Sequence, residues 1–274
     1  MAKINDFMIG TDYEYFVINE EGDVASAVGF IGGTKKEPLD LGEGCFRQSD
    51  NILAEANNPP VTSLDQWLYY FDYTHKKMSE ILNPYGLELY VSTSEQIEKK
   101  YLRSRIARTF GCEASYCAYP NKPFANLNPS GTLRTAGLHI HVGFKPEDLE
   151  SVKDIERFMR IMDVNLGAPS VLIDPDNIRR TMYGMAGEYR FTQRGEFMVI
   201  EYRSLGSYFL GSKELLAFTY NQTLKSIEDF NNGHNGYMEL QEAINDYDEE
   251  ACIKYMGEEN YKAVQQLIKT KVNV

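Results

Sequence analysis

The sequence predicts an α+β protein, on three observations. Polar and apolar residues alternate over 138–144 (LHIHVGF) and over 196–207 (EFMVIEYRSLGS), which is the two-residue period of a half-buried strand. Trp67, Phe71, Met78 and Leu82 instead recur at helical spacing, and helical stretches follow over roughly 148–166, 212–230 and 249–271. These segments are interspersed without a repeat, a low-complexity tract or a flexible linker.

Taken in order, residues 7–19 (FMIGTDYEYFVIN) are β-branched and aromatic and run into Glu20-Glu21-Gly22-Asp23, a strand followed by a turn. The glycine-rich GFIGGTKKEP (29–38) follows, then a short strand within 48–60 that must stop at Pro59-Pro60. Thr62 or Ser63 caps the next helix, whose aromatic stripe reads as core packing and which Asn83-Pro84 ends. Residues 86–93 (GLELYVST) read as another strand. Residues 111–136, rich in Gly, Pro, Asn and Tyr, read as a long ordered loop, a feature that tends to be functional inside a compact domain. After the strand at 138–144 and the helix at 148–166, a loop carries Arg179-Arg180, and the strand at 196–207 precedes the last two helices. With 43% hydrophobic residues among 274, the chain buries enough surface for one large domain. We place that domain at 1–232, with 233–274 as a helical extension packed on it.

Composition excludes several classes. The formal charge is −12, which repels a nucleic-acid backbone in the absence of a basic patch. No stretch approaches the length needed to span a bilayer, and the N-terminus MAKINDFMIG has no charged-then-apolar leader pattern. Cys45, Cys112, Cys117 and Cys252 form no CxxC pair or disulfide framework, so reduced thiols and a cytoplasmic location are expected.

The chemistry lies in the strand faces. Side chains two apart on a strand share a face, so Asp12 with Glu14, Glu55 with Asn57, His139 with His141, and Glu201 with Arg203 each aim at one target. Any one pair reads equally as the solvated side of a two-faced sheet. Four such pairs on otherwise apolar strands are hard to bury, because unpaired buried charge is costly, and a shared cleft with a cation resolves the conflict. Carboxylates with one or two imidazoles suit Mg²⁺ or Mn²⁺. His75 and His234 read as structural or surface residues.

For phosphates, GFIGGTKKEP offers Lys35 and Lys36, either as a cradle or as a solvated hairpin turn, and no P-loop pattern is present. Arg179, Arg180, Arg190 and Arg203 are better suited, since guanidinium groups bind phosphate bidentately and stay charged.

The ordered motifs GTDYEYF, GGTKKEP, DNILAEANNPP, GCEASYCAY, RTAGLHIHVGF, and RRTMYGMAGEYR with VIEYRSLGS resemble the phage-type carboxylate-amine ligase family (amidoligase type 2), a remote relative of glutamine synthetase and glutamate-cysteine ligase. The resemblance runs from about residue 8 to about residue 210. Leu138 stands where the family has a glycine, and GCEASYCAY is a looser form of a more acidic loop. The resemblance implies a glutamine-synthetase-like, curved, mostly antiparallel sheet with helices on its outer face and the active site on the concave face. It implies ATP and Mg²⁺ (or Mn²⁺) as cofactors, with Asp12, Glu14, Glu55, His139 and Glu201 holding metal. His141, Lys35, Lys36, Arg179 and Arg203 would then meet the nucleotide, and Arg180, Arg190, Arg203 and Glu55 would act at the transferred phosphoryl group. The implied reaction joins a small-molecule or peptide carboxylate to an amine through an acyl phosphate, in the host cytoplasm if the gene is phage-borne. Two rivals use the same cluster: a metal-dependent hydrolase that activates water, and a non-catalytic nucleotide-binding accessory protein.

Overall fold

A computed structural model of the chain describes residues 2–108, 115–120, 131–149 and 151–272. Of the loop expected over 111–136, residues 111–114 (GCEA, with Cys112) and 121–130 lie outside the described residues.

The first strand, β1 (Phe7–Asn19), is joined by the short β2 (Val24–Ala25), then by the hairpin β3 (Leu39–Gly42) and β4 (Cys45–Asp50), and by β5 (Leu53–Asn57). The β3–β4 hairpin was not anticipated. Its two-residue loop, Glu43-Gly44, has φ of 53° and 76°, the left-handed pair that matches strand twist and that glycine favours. Helix α1 (Leu64–Leu82) is capped by Ser63, whose side chain accepts from the Gln66 amide, and it buries Trp67, Phe71, Met78 and Leu82 as the spacing required. Strands β6 (Leu87–Tyr90) and β7 (Ser94–Gln96), helix α2 (Arg105–Arg108), and strands β8 (Tyr116–Cys117), β9 (Leu133–Thr135) and β10 (Gly137–Phe144) follow.

The helix expected over 148–166 is α3 (Val152–Met162), capped by Ser151. It continues through a wider π turn at Asp163–Gly167 into α4 (Ala168–Ile173). A second unanticipated strand, β11 (Glu188–Arg194), forms a hairpin with β12 (Phe197–Gly206). Helices α5 (Lys213–Asn231), α6 (Leu240–Asn245) and α7 (Glu249–Val272) follow, and α7 is broken at Gly257.

The main sheet runs β3-β4-β5-β1-β10-β12-β11-β8, with β2 and β6 also on β1, and every strand pairing among the described residues is antiparallel. One face supplies the core: Tyr13, Tyr15, Ile140, Val142, Ile200 and Tyr202 are buried in one cluster with Trp67, Phe158 and Leu216 of the helices. Cys252, Met256 and Val264 of α7 lie in that same cluster. Among the described residues no helix is long and apolar enough to cross a membrane, and Cys45, Cys117 and Cys252 are free thiols.

Candidate functional site

Strand register brings the polar faces together. Asp12 on β1 stands opposite His139 on one side and Asn57 on the other, Glu14 stands opposite Glu55, and Glu55 opposite Gln48. His141 stands opposite Glu201, which stands opposite Arg190. Adjacent antiparallel strands hold such partners within side-chain reach, so the pairs seen along separate segments become contiguous rows.

A β-bulge shapes the middle of the site. Leu138 pairs with Leu205 but Ile140 pairs with Tyr202, so His139 faces two residues, Arg203 and Ser204. The extra residue reverses the alternation of β12: Glu201 and Arg203 face the cleft while Leu205, two positions on, joins the core.

The cleft encloses about 510 Å³ and is lined by Asp12, Glu14, Lys35, Glu55, His139, His141, Arg190, Glu201 and Arg203, together with Gln48, Asp50, Asn57, Thr192 and Arg194. Two groups of side chains there have ligand atoms within 4.8 Å of one another: Asp12, His141 and Glu201 form one, and Glu14, Asp50 and Glu55 the other. His139 sits between them, its Nδ1 3.3 Å from Glu201 Oε1 and 3.9 Å from Glu14 Oε1. His141 Nε2 lies 3.3 Å from Asp12 Oδ2. His141 was expected at the nucleotide and His139 at the metal; the structure puts His141 in a carboxylate group and His139 between the two. Glu201 Oε1 also receives Arg190 at 3.3 Å and a close contact from the buried Arg203.

Burial dominates the electrostatics. It pushes the Glu14 carboxyl up to about 8, with the neighbouring Asp50 adding to the rise while Arg179, the Gly137 amide and Arg203 oppose it. The Gly137 N–H donates to Glu14 Oε2 at 2.5 Å. Glu55 is raised well above the usual carboxylate range by burial and by the charges of Asp12, Asp50 and Glu14. Glu201 is raised by burial despite His141 and Arg190. Burial also raises Asp12, but His141 and Arg203 outweigh it and hold the carboxyl below its ordinary value. His139 is driven well below the usual histidine range by burial and by Arg203, Arg179 and Arg190, so its ring is neutral at pH 7. Burial lowers His141 too, yet the Asp12 carboxylate carries the balance and raises it.

These residues fit a divalent cation. Carboxylates this close and this buried cannot all ionise without a positive charge among them. A neutral imidazole is the metal-binding form, and His139 presents Nδ1 toward Glu201 and Glu14. Hard oxygen donors with one or two ring nitrogens suit Mg²⁺ or Mn²⁺.

Three of the expected residues stand elsewhere. Lys36 is at the exposed tip of a tight turn closed by Thr34 and Glu37, whose amides and carbonyls exchange hydrogen bonds of 3.0 and 3.1 Å. The turn reading of GFIGGTKKEP therefore holds for Lys36, while Lys35 reaches the cleft. Arg179 is buried beside Gly137 and His139, on the face of the sheet that carries Glu14, and donates to the carbonyls of Arg203 at 3.1 Å and Ser204 at 3.3 Å. Gly184, at φ +72°, makes room for it, since a Cβ there would sit 1.5 Å from the Arg179 guanidinium. Arg180 is in the helix layer, donating to Ser170 Oγ at 2.6 Å and lying over the Tyr247 ring. Both arginines are buried and bonded within the protein, and neither is among the residues that line the cleft.

Asp50, Gln48 and Arg194 were missed. Gln48 with Asp50, and Arg190 with Thr192 and Arg194, repeat the same two-residue polar spacing on β4 and β11, so the signal was present once those segments are read as strands.

Fold and site together define a mixed helix and antiparallel-sheet protein with an acidic, histidine- and arginine-bearing cleft. No family model and no curated protein matches the chain. Among solved structures the chain is similar to GmaS without ligand, at 11% identity and a TM-score of 0.42, over 97% of this chain and 69% of that one. It is also similar to a GmaS–ADP complex, at 10% identity and a TM-score of 0.38, with the same coverage.

Proposed function

We propose that the chain is an ATP-dependent ligase that joins a carboxylate to an amine. The observation that carries this reading is the meeting, in one cleft, of two carboxylate groups with the cationic residues Lys35, Arg190, Arg194 and Arg203. An anion-rich floor facing guanidinium and ammonium groups suits a triphosphate delivered with divalent cations. The motif order read from the sequence supports the same reaction class, and with it a site on the concave face of a curved sheet.

Asp12, His141 and Glu201, and separately Glu14, Asp50 and Glu55, would hold divalent cations, with His139 between them. A cation bound there neutralises phosphate charge and polarises phosphoryl oxygens. Arg190, with Lys35 and Arg194, binds the triphosphate oxygens and stabilises charge on the transferring phosphoryl group. Arg203, buried and in contact with Glu201, holds that carboxylate in place. In the reaction, the substrate carboxylate oxygen attacks the γ-phosphorus and ADP leaves, giving an acyl phosphate. The amine nitrogen then attacks the acyl carbon, the carbon–oxygen bond to phosphate breaks, and the nitrogen gives up a proton. The substrates are small-molecule or peptide carboxylates and amines.

The test is phosphate release from ATP and Mg²⁺ with pooled carboxylates and amines. Release that needs both pools, together with a rise in melting temperature on adding Mg-ATP, is the expected result. ATP-independent cleavage of phosphate esters or peptides would instead establish the hydrolase. Absence of both turnover and a melting shift would leave neither ATP nor the ligase reading standing.

A further inference from the structure

The formal charge of −12 is not spread evenly along the chain. Residues 99–108 (KKYLRSRIAR) carry five cations, Lys99, Lys100, Arg103, Arg105 and Arg108, and no acidic residue. A single 3₁₀ turn (Lys99–Leu102) and α2 shape the segment, and the Ser104 hydroxyl accepts from the Ala107 amide at 3.0 Å. Leu102 and Ala107 are buried in a second apolar cluster, which leaves the five cations exposed. Arg134, fully buried, anchors the segment from inside by donating to the Ala107 carbonyl at 3.3 Å. Lys100 meets Glu98 at 2.8 Å and Asp23 at 3.7 Å, whereas Lys99, Arg103 and Arg108 have no ion-pair partner among the described residues.

The second cluster places this segment at one end of the cleft. Phe16 is two residues beyond Glu14 on β1 and therefore shares its face, and it is buried with Ile97, Leu102 and Ala107. Ile52 and Leu53, which follow Asp50, are in the same cluster, and so is Ala136, next to the Gly137 amide that donates to Glu14. The opposite end carries Arg190. It stands opposite Glu201, Glu201 opposite His141, and His141 opposite Gly10, six residues along β1 from Phe16. One end of the cleft thus holds a guanidinium proposed for the triphosphate, and the other is flanked by a basic surface that the triphosphate does not use.

Charge and length select the partner. Two helical turns carry these cations over on the order of 15 Å, so a ligand that meets several of them is extended and bears spaced negative charges. An extended peptide covers that length in about five residues, at roughly 3.3 Å each. Nucleic acid suits the segment less. Tyr101, its only aromatic residue, is half-buried beside Lys100 rather than open for stacking bases, and the charge of the whole chain opposes a long polyanion more than a short one. A peptide also finds an apolar contact in Ile106, 43% exposed among the cations.

We propose that residues 99–108 dock an acidic peptide and, resting on the ligase reading above, that this peptide is the carboxylate substrate, led into the cleft from the Glu14 end.

The test has two arms, both on the full chain. In the first, without ATP, fluorescence anisotropy follows labelled hexaglutamate and, in parallel, labelled hexaglutamine. Hexaglutamate is expected to bind and hexaglutamine not. The double variant Arg103→Glu/Arg108→Glu should weaken binding about tenfold or more, because two exposed attractions become repulsions. Lys76→Glu/Lys77→Glu, which reverses exposed cations on α1, should change it less than about twofold. In the second arm, with Mg-ATP and an amine pool, hexaglutamate replaces the carboxylate pool, and Arg103→Glu/Arg108→Glu is expected to raise its KM about tenfold with kcat little changed. No binding of hexaglutamate at millimolar concentration, equal binding of hexaglutamine, or undiminished binding by the Arg103→Glu/Arg108→Glu variant would overturn the docking surface. So would tighter binding of a labelled six-residue oligothymidylate, which would make the segment a nucleic-acid surface. Turnover with small carboxylates but not with hexaglutamate would overturn the peptide's role as substrate. Binding that depends on Arg103 and Arg108 in the first arm, with no turnover of any carboxylate in the second, would support the docking surface and overturn the ligase reading.

Discussion

At the scale of single residues, position relative to the bulge separates arginines that the sequence presents as equals. Arg190 NH2 is 3.3 Å from Glu201 in the cleft, whereas Arg180 braces Ser170 within the helices. Arg190→Ala is therefore expected to lower ATP turnover by roughly 10²-fold while leaving the melting temperature near wild type. Arg180→Ala should cost about 1–3 kcal/mol of stability, from a lost buried partner, with turnover per folded molecule unchanged. Steady-state kinetics and denaturant melts on the two variants check both, and the reverse pattern would return Arg180 to the chemistry. Asp50→Ala tests a residue the strand-pair reading overlooked. It should weaken Mg²⁺ or Mn²⁺ binding, read by Mn²⁺ relaxation or calorimetry, as strongly as Glu55→Ala, because the two carboxylates share one group.

At the scale of elements, the π turn between α3 and α4 carries Asp163, which is fully buried and accepts from Tyr119 at 2.8 Å and from Tyr202 at 2.7 Å. Tyr202 is the β12 residue between Glu201 and Arg203, so this carboxyl ties the helix layer to the strand that builds the cleft. Burial raises it to about 7, against the bonds from the two tyrosines. A folded-state value above the ordinary 3.8 means that the folded chain binds this proton more tightly than the unfolded one. Its contribution to stability is complete below about pH 4 and is lost as pH rises through about 7. Asp163→Asn, which cannot ionise, should flatten the decline in unfolding free energy over that window. A variant with the same pH slope as wild type would remove Asp163 from the explanation.

At the scale of the whole molecule, helices α6 and α7 contribute side chains to the core. Cys252, Met256, Val264 and Leu267 belong to the main apolar cluster, and the Asn260 side chain donates to Asn165 Oδ1 at 2.7 Å. Ending the chain at residue 232 would expose the face of α4 that α7 covers, and the loss of that burial, at roughly 25 cal/mol per Å² of apolar surface, is large against ordinary domain stability. The truncated chain is expected to lose cooperative unfolding, measured by circular dichroism and limited proteolysis. A cooperative melt from 1–232 alone would show instead that the extension is dispensable.

Much of this was legible in the residues themselves. The two-residue period of Asp12-Glu14, His139-His141 and Glu201-Arg203, and the helical period from Trp67 to Leu82, are consequences of backbone geometry that hold before any packing is known, so strand, helix and cleft-facing side chain follow from spacing alone. Hairpins as short as β3–β4 were less visible, because a four-residue strand carries almost no period and is specified by its Glu43-Gly44 turn and its neighbours. Only the tertiary structure decided which polar pairs meet, that Asp50 completes a carboxylate group, and that Arg180 is buried in the helix layer while Arg179 is bonded to the carbonyls at the bulge. Those outcomes rest on strand register, on one inserted residue at Arg203-Ser204, and on contacts between segments far apart in the chain. Local sequence does not encode them singly; the packing of the whole core selects them together.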